Sequence, residues 1–248
     1  MSLLLVQLAI LLAWAQALRA LSRHVGPRYT GLLLGLPSTT AITLVACGYQ
    51  HGPEAVIVMA DAALLGLVAA VALPLAYARG LRPDQGLPRA LARALAAYTA
   101  AAAGLSQLPP IGVGARLALA TAALLVASCW SARGPEVDDP PGPRRPCRIR
   151  ALSTLASAAC VLLVQALQDA AGTTWAGWLA PFPGVTLTAL VASHAEAGPA
   201  AARRMACAVP RGGLGTLAFL AAFRLAGPRL GPVWGAFSGY AVALATVL

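Results

Sequence analysis

Two ionisable residues stand inside long apolar stretches, Asp61 in VMADAALLG and Arg211 in AVPRGGLG. A charge near the middle of a bilayer costs a few kcal/mol or more, so such a residue is a functional candidate whose partner must be named. The two read either as an Asp61 to Arg211 pair, or as a proton carrier, Asp61, working beside an arginine that binds an anionic substrate group. A second set couples prolines to hydroxyls. Pro37 is followed by Ser38, Thr39, Thr40 and Thr43, and Pro183 by Thr186 and Thr188. A proline inside a helix removes one hydrogen bond and clashes with the preceding turn. Matching interruptions in two halves of a membrane protein are the best sequence pointer to a transport site. Structural readings compete with these. The hydroxyls could simply bond back to their own helix or across a helix pair, and Arg211 could snorkel to the surface beside Arg203 and Arg204.

The elements that must carry these residues are apolar helices. Of 248 residues, 59% are hydrophobic and 10% charged, and apolar runs of roughly 20 residues, the length needed to cross a bilayer core, recur along the chain. The fold class is therefore an all-α polytopic membrane protein. Alternating strands of about ten residues, as in a β-barrel, are absent. Nine spans are expected, at 3–21, 30–48, 55–77, 88–107, 111–130, 150–168, 174–193, 202–223 and 231–248. The opening run MSLLLVQLAILLAWAQAL lacks a basic start and reads as a retained first helix rather than a secretion signal. Residues 132–150, ARGPEVDDPPGPRRPCRIR, read as a solvated linker.

The net charge of +10 points to topology and not to a nucleic-acid partner. Fourteen of the 18 arginines fall in the connections after spans one, three, five and seven. The positive-inside rule then puts the N-terminus outside and the C-terminus in the cytoplasm, with Arg224 and Arg229 against the trend. Lys and Asn are absent, as a GC-rich genome would favour, and the expected location is a bacterial cytoplasmic (inner) membrane. Cys47, Cys129, Cys147, Cys160 and Cys207 show no metal or disulfide spacing. No metal and no cofactor are expected.

One segment occurs twice. LGLPSTTAITLVACGYQHGPEA at 34–55 aligns with APFPGVTLTALVASHAEAGPAA at an offset of 146, and residues 26–66 match 172–212 at fifteen of forty-one positions. Chance in so Ala- and Leu-rich a chain gives about one match in eight. Gly26, Gly31, Pro37, Thr40, Gly52, Pro53 and Gly66 match Gly172, Gly177, Pro183, Thr186, Gly198, Pro199 and Gly212. Five crossings separate the copies, an odd number, so the second is inverted. This organises the chain as a first membrane repeat at 1–108, a connector span at 109–131, a polar linker at 132–149 and a second repeat at 150–248.

Inverted repeats are a common build of secondary transporters, with the site at the repeat interface near the bilayer midplane. The expected function is a carrier for a small molecule or ion, with Asp61 a candidate for proton coupling. Its expected binding residues are Thr40, Thr186, Asp61, Arg211, Pro37, Pro183, Ser38 and Thr39. Two alternatives stay open: an intramembrane enzyme acting on a lipid or isoprenoid, and a structural or regulatory membrane subunit. The enzyme is disfavoured because neither HExxH nor GxSxG occurs and the three histidines lack helical spacing. No Walker pattern is present to supply an ATP motor.

Overall fold

A computed structural model describes residues 27–80, 86–132 and 172–247, with isolated positions at 13, 17 and 170. The expected spans at 3–21 and 150–168 and the linker at 132–149 lie almost wholly outside the described residues. Every element described is helical: α1 (27–34), α2 (Ser38–Gly80), α3 (Leu87–Ser106), α4 (Val113–Ala132), α5 (172–179), α6 (Gly184–Ala197), α7 (Pro199–Leu230) and α8 (Pro232–Val247). Among the described residues, four stretches are long and apolar enough to cross a membrane: Pro27–Gly80, Val113–Ser131, Gly172–Ala197 and Pro199–Leu230. This is the composition of a helical membrane protein, as the sequence led us to expect. Helix α8 is apolar but shorter.

Glycine followed by proline makes the reversals. Gly52, Gly198 and Gly231 all have a left-handed φ, between 81° and 87°, which a residue without Cβ adopts at little cost. Gly198 and Gly231 each donate their N–H to a carbonyl four residues back, His194 and Gly227, and so cap the helix they end. Pro199 and Pro232 open α7 and α8, a first-turn position where a missing N–H loses nothing. Gly52 folds α2 into two arms, 38–51 and 53–80, and Gly48 packs on Val56 across the turn.

Helix directions follow from glycine contacts where two backbones touch. Gly31 meets Met205 and Ala208, and Gly35 meets Val209 and Gly212, so α1 runs beside α7 in the same direction. Gly177 meets Met59 and Ala62, and Gly66 meets Trp178 and Pro181, so α5 runs likewise beside the second arm of α2. A Cβ on Gly31, Gly66, Gly177 or Gly212 would overlap a carbonyl oxygen of the facing helix, which explains why small residues hold these positions in a lipid-facing bundle. Helix α8 folds back on α7 through Gly235, Gly239 and Ala243, spaced by four and all buried.

Among the described residues two apolar cores result. One gathers Leu44, Met59, Leu64, Leu124, Phe219 and Phe223, and the other Leu73, Tyr77, Ala94, Leu190 and Met205. The second core lies towards the end of the bundle where α2 and α4 finish and α3 and α7 begin, as the contacts of Gly80 with Ala90 and of Arg79 with Trp130 fix. That end carries Arg28, Arg79, Arg89, Arg93, Arg203 and Arg204.

Candidate functional site at the helix interruptions

The backbone leaves the helix at 35–37 and at 180–183, positions that overlap at the offset of 146. Pro37 and Pro183 supply the cause, since neither can donate the hydrogen bond that would continue the helix. The ends of α1 and α5 are left with carbonyls that have no intrahelical donor. Hydroxyls of the other copy fill the gap. Thr39 and Thr40 donate to the Ala180 carbonyl at 3.2 and 3.3 Å, and Thr186 donates to the Leu34 carbonyl at 3.4 Å. Leu34 and Ala180 are 146 residues apart, as are Thr40 and Thr186, so this bond is made twice with the copies exchanged. Thr216 donates to the Gly35 carbonyl at 2.6 Å, and the Tyr240 hydroxyl to that of Pro37 at 2.9 Å.

Between the interruptions lies a cavity of about 50 Å³. Its polar wall is formed by Ser38, Thr39, Thr40, Thr186 and Thr216, and its apolar wall includes Leu67, Val71, Phe182 and Val209. The first turns of α2 and α6 both border it, and a helix start presents N–H groups outside the intrahelical ladder together with the positive end of the helix dipole. Ser38 carries a hydroxyl with no hydrogen-bond partner among the described residues.

Of the residues singled out in the sequence, Ser38, Thr39, Thr40, Pro183 and Thr186 line this cavity. Pro37 is buried beside it with its carbonyl held by Tyr240. The plainer reading holds for two hydroxyls: Thr43 bonds back to the Thr39 carbonyl, and Thr188 to those of Gly184 and Val185. Thr216 and Tyr240 were not foreseen, because each sits singly in an apolar helix without a neighbouring break to mark it.

The expected pair of Asp61 with Arg211 is not formed. Asp61 is held by Arg224, whose Nε donates to Oδ1 at 2.5 Å and whose Nη2 lies 3.4 Å from Oδ2. Arg224 lies 13 residues beyond Arg211, about 20 Å along a helix. The reason for the error is helix length. The sequence reading ended the eighth span at 223, but α7 runs to Leu230, and the second arm of α2 packs against it in the opposite direction, bringing the start of one to the end of the other. Arg211 is half-buried and directly follows Pro210, which lines the cavity.

A different polar contact lies on the other side of the cavity. The Tyr77 hydroxyl is 3.2 Å from Nδ1 of His194 and 3.5 Å from the Leu190 carbonyl. Along the second arm of α2, Asp61 precedes the lining residue Leu67 by six positions and Tyr77 follows the lining residue Val71 by six, about 9 Å in each direction. The cavity is thus flanked by an ion pair towards one end of the bundle and by a tyrosine and histidine contact towards the other. Among the described residues no cluster of His, Cys, Asp or Glu could hold a metal ion.

Comparison with known proteins found no matching family, no similar curated protein and no similar solved structure.

Proposed function

We propose that this chain is a secondary carrier for a small ion, built as nine spans in two inverted repeats with the solute held between the two helix interruptions. The observation that carries the reading is the exchange of hydroxyl to carbonyl bonds between Thr40 and Ala180 and between Thr186 and Leu34, around one cavity. Reciprocal contacts of this kind are what a two-fold relation between copies produces. Direction supports inversion as well. Helix α1 runs with α7, and α6 folds back against α7 at Gly198, so the equivalent interrupted segments point opposite ways. Discontinuous helices meeting at the interface of inverted repeats are the usual site in such carriers.

The solute is small, since about 50 Å³ accommodates roughly three or four water molecules. Hydroxyls and two helix starts border it, and no carboxylate or imidazole is among the described lining residues, which favours a small anion over a cation and a carrier over an acid and base enzyme. Asp61 is the carboxylate through which proton coupling would run, with protonation releasing Arg224. In a bacterial inner membrane the end carrying Arg79, Arg203 and Arg204 would face the cytoplasm.

The test is flux. Purified protein in liposomes should carry halides or small oxyanions and not alkali cations, and Thr186→Val should lose most of that flux while remaining folded. Folded wild-type protein that moves no small ion would overturn the proposal.

A further inference from the structure

The two interruptions are alike in backbone and unlike in what caps them. Gly212 on α7 meets the Leu32 carbonyl and Gly35, and Gly66 on α2 meets the Trp178 carbonyl and Pro181. These contacts coincide at the offset of 146, so the register of α2 on α5 repeats that of α7 on α1. One turn beyond each glycine the copies part. Thr216 donates to the Gly35 carbonyl at 2.6 Å, but the residue equivalent to Thr216 is Ala70, and the one equivalent to Gly35 is Pro181. Alanine has no proton to donate. Ala70 and Pro181 are buried and both line the cavity, and among the described residues no hydrogen bond reaches the Pro181 carbonyl.

Ser38 breaks the equivalence in the opposite sense, since its place in the other copy is taken by Gly184. The hydroxyls of Thr39, Thr40, Thr186 and Thr216 are all committed as donors to carbonyls. That of Ser38 has no such acceptor among the described residues. The cavity wall therefore offers a solute one hydroxyl able to donate and one carbonyl that can only accept.

We propose that the solute is a small oxyanion that keeps a hydroxyl, of the hydrogen carbonate class. An anionic oxygen takes the hydrogen bond of Ser38, and the solute's own O–H donates to the Pro181 carbonyl. This rests on the carrier reading and narrows it. The size agrees, because about 50 Å³ holds roughly three or four water-sized atoms, as in a planar oxyanion with one central atom. Nitrate or a halide could accept from Ser38, but it would set an electron-rich surface against the carbonyl oxygen and leave that buried acceptor unmet. Lipid offers no donor to replace it. Discrimination by an unmatched buried polar group is stronger than discrimination by size alone.

The experiment measures anion binding to the purified full chain in detergent, from the rise of its thermal midpoint with concentration of sodium salts at constant ionic strength and mildly alkaline pH. The probes are hydrogen carbonate, nitrate and chloride. Hydrogen carbonate and nitrate are both planar, singly charged and alike in size, and only the first has a hydrogen to donate. Hydrogen carbonate should bind about fivefold more tightly than nitrate, the effect of one ordinary hydrogen bond. Ala70→Ser supplies the kind of donor that Thr216 supplies to Gly35, so it should cap Pro181 and bring the two ions to equal affinity. The wild-type comparison decides even if that variant fails to fold. Equal affinities in the wild type, or the preference kept in folded Ala70→Ser, would overturn the inference and leave the carrier reading standing. Binding of none of the three anions would overturn both.

Discussion

Arg224 grips the carboxylate of Asp61 with two nitrogens, joining the start of one long helix to the end of another. The residues at the same places in the other copy, 146 positions away, are Cys207 and Ala78. The ion pair thus has no counterpart at the offset of 146, and it makes the two sides of the cavity unlike.

The two side chains are 28% and 20% exposed. Removing one partner should cost between the ~1 kcal/mol of an exposed ion pair and the ~3–5 kcal/mol of a buried one. Asp61→Asn and Arg224→Gln should each lower the thermal midpoint in detergent, and the double variant should lose less than the two single losses combined. Arg211→Gln, which breaks no such pair, should lower it less than Arg224→Gln does. Equal midpoints for all three single variants would refute the assignment.

The hydroxyl bonds at the interruptions are not equally buffered. The Ala180 carbonyl accepts from both Thr39 and Thr40, whereas Leu34 accepts from Thr186. Thr186→Val should therefore leave a buried carbonyl unpaired at about 1–3 kcal/mol, and Thr40→Val should cost less. Thr186→Ser should restore most of the stability. Chemical denaturation in mixed micelles measures the order, which fails if Thr40→Val is the more damaging change.

Glycine substitutions separate close packing from backbone conformation. A Cβ at Gly212 would overlap the Leu32 carbonyl and Gly35, and one at Gly66 would overlap the Trp178 carbonyl. Overpacking of this kind typically costs about 1–3 kcal/mol. At Gly52 a Cβ would meet nothing within 4 Å, and only its backbone, with φ 81° and ψ −178°, penalises alanine, by about 1–3 kcal/mol. Filling should thus push α1 away from α7 in Gly212→Ala, while Gly52→Ala should leave helix spacing unchanged. Distances between spin labels on α1 and α7 report the difference.

On the arginine-rich side of the cavity Tyr77 contacts His194 and the Leu190 carbonyl. Tyr77→Phe should cost about 0.5–1.5 kcal/mol and speed the reaction of a cysteine placed at Thr39 with a thiol reagent added from that side. An unchanged labelling rate would show that this contact closes nothing.

Much of this was legible in the sequence because its cues are local. Gly52–Pro53 and Gly198–Pro199 fell in the connections between expected spans, and Pro37 and Pro183 marked the interruptions, since backbone restrictions act within a few residues, whereas the reversal at Gly231 was expected at 224–230. Repetition then linked Thr40 to Thr186 without any knowledge of distance. Long-range register was not legible. Span lengths taken from hydropathy are uncertain by a turn or two, and the few residues missing from the end of α7 were enough to hide Arg224 and assign Asp61 to Arg211. Thr216 and Tyr240 escaped because one hydroxyl in an apolar helix carries no local sign of the carbonyl it will meet.

The central claim is that equivalent ends of the two copies face opposite sides of the membrane. His51 and Ala197 are equivalent and stand one residue before Gly52 and Gly198. Each should be replaced by cysteine in a background without the five native cysteines, and labelled with an impermeant thiol reagent on intact cells and on permeabilised ones. The account predicts that position 51 reacts on intact cells and that position 197 reacts only after permeabilisation. Labelling of both positions on intact cells would contradict it, because the copies would then be parallel.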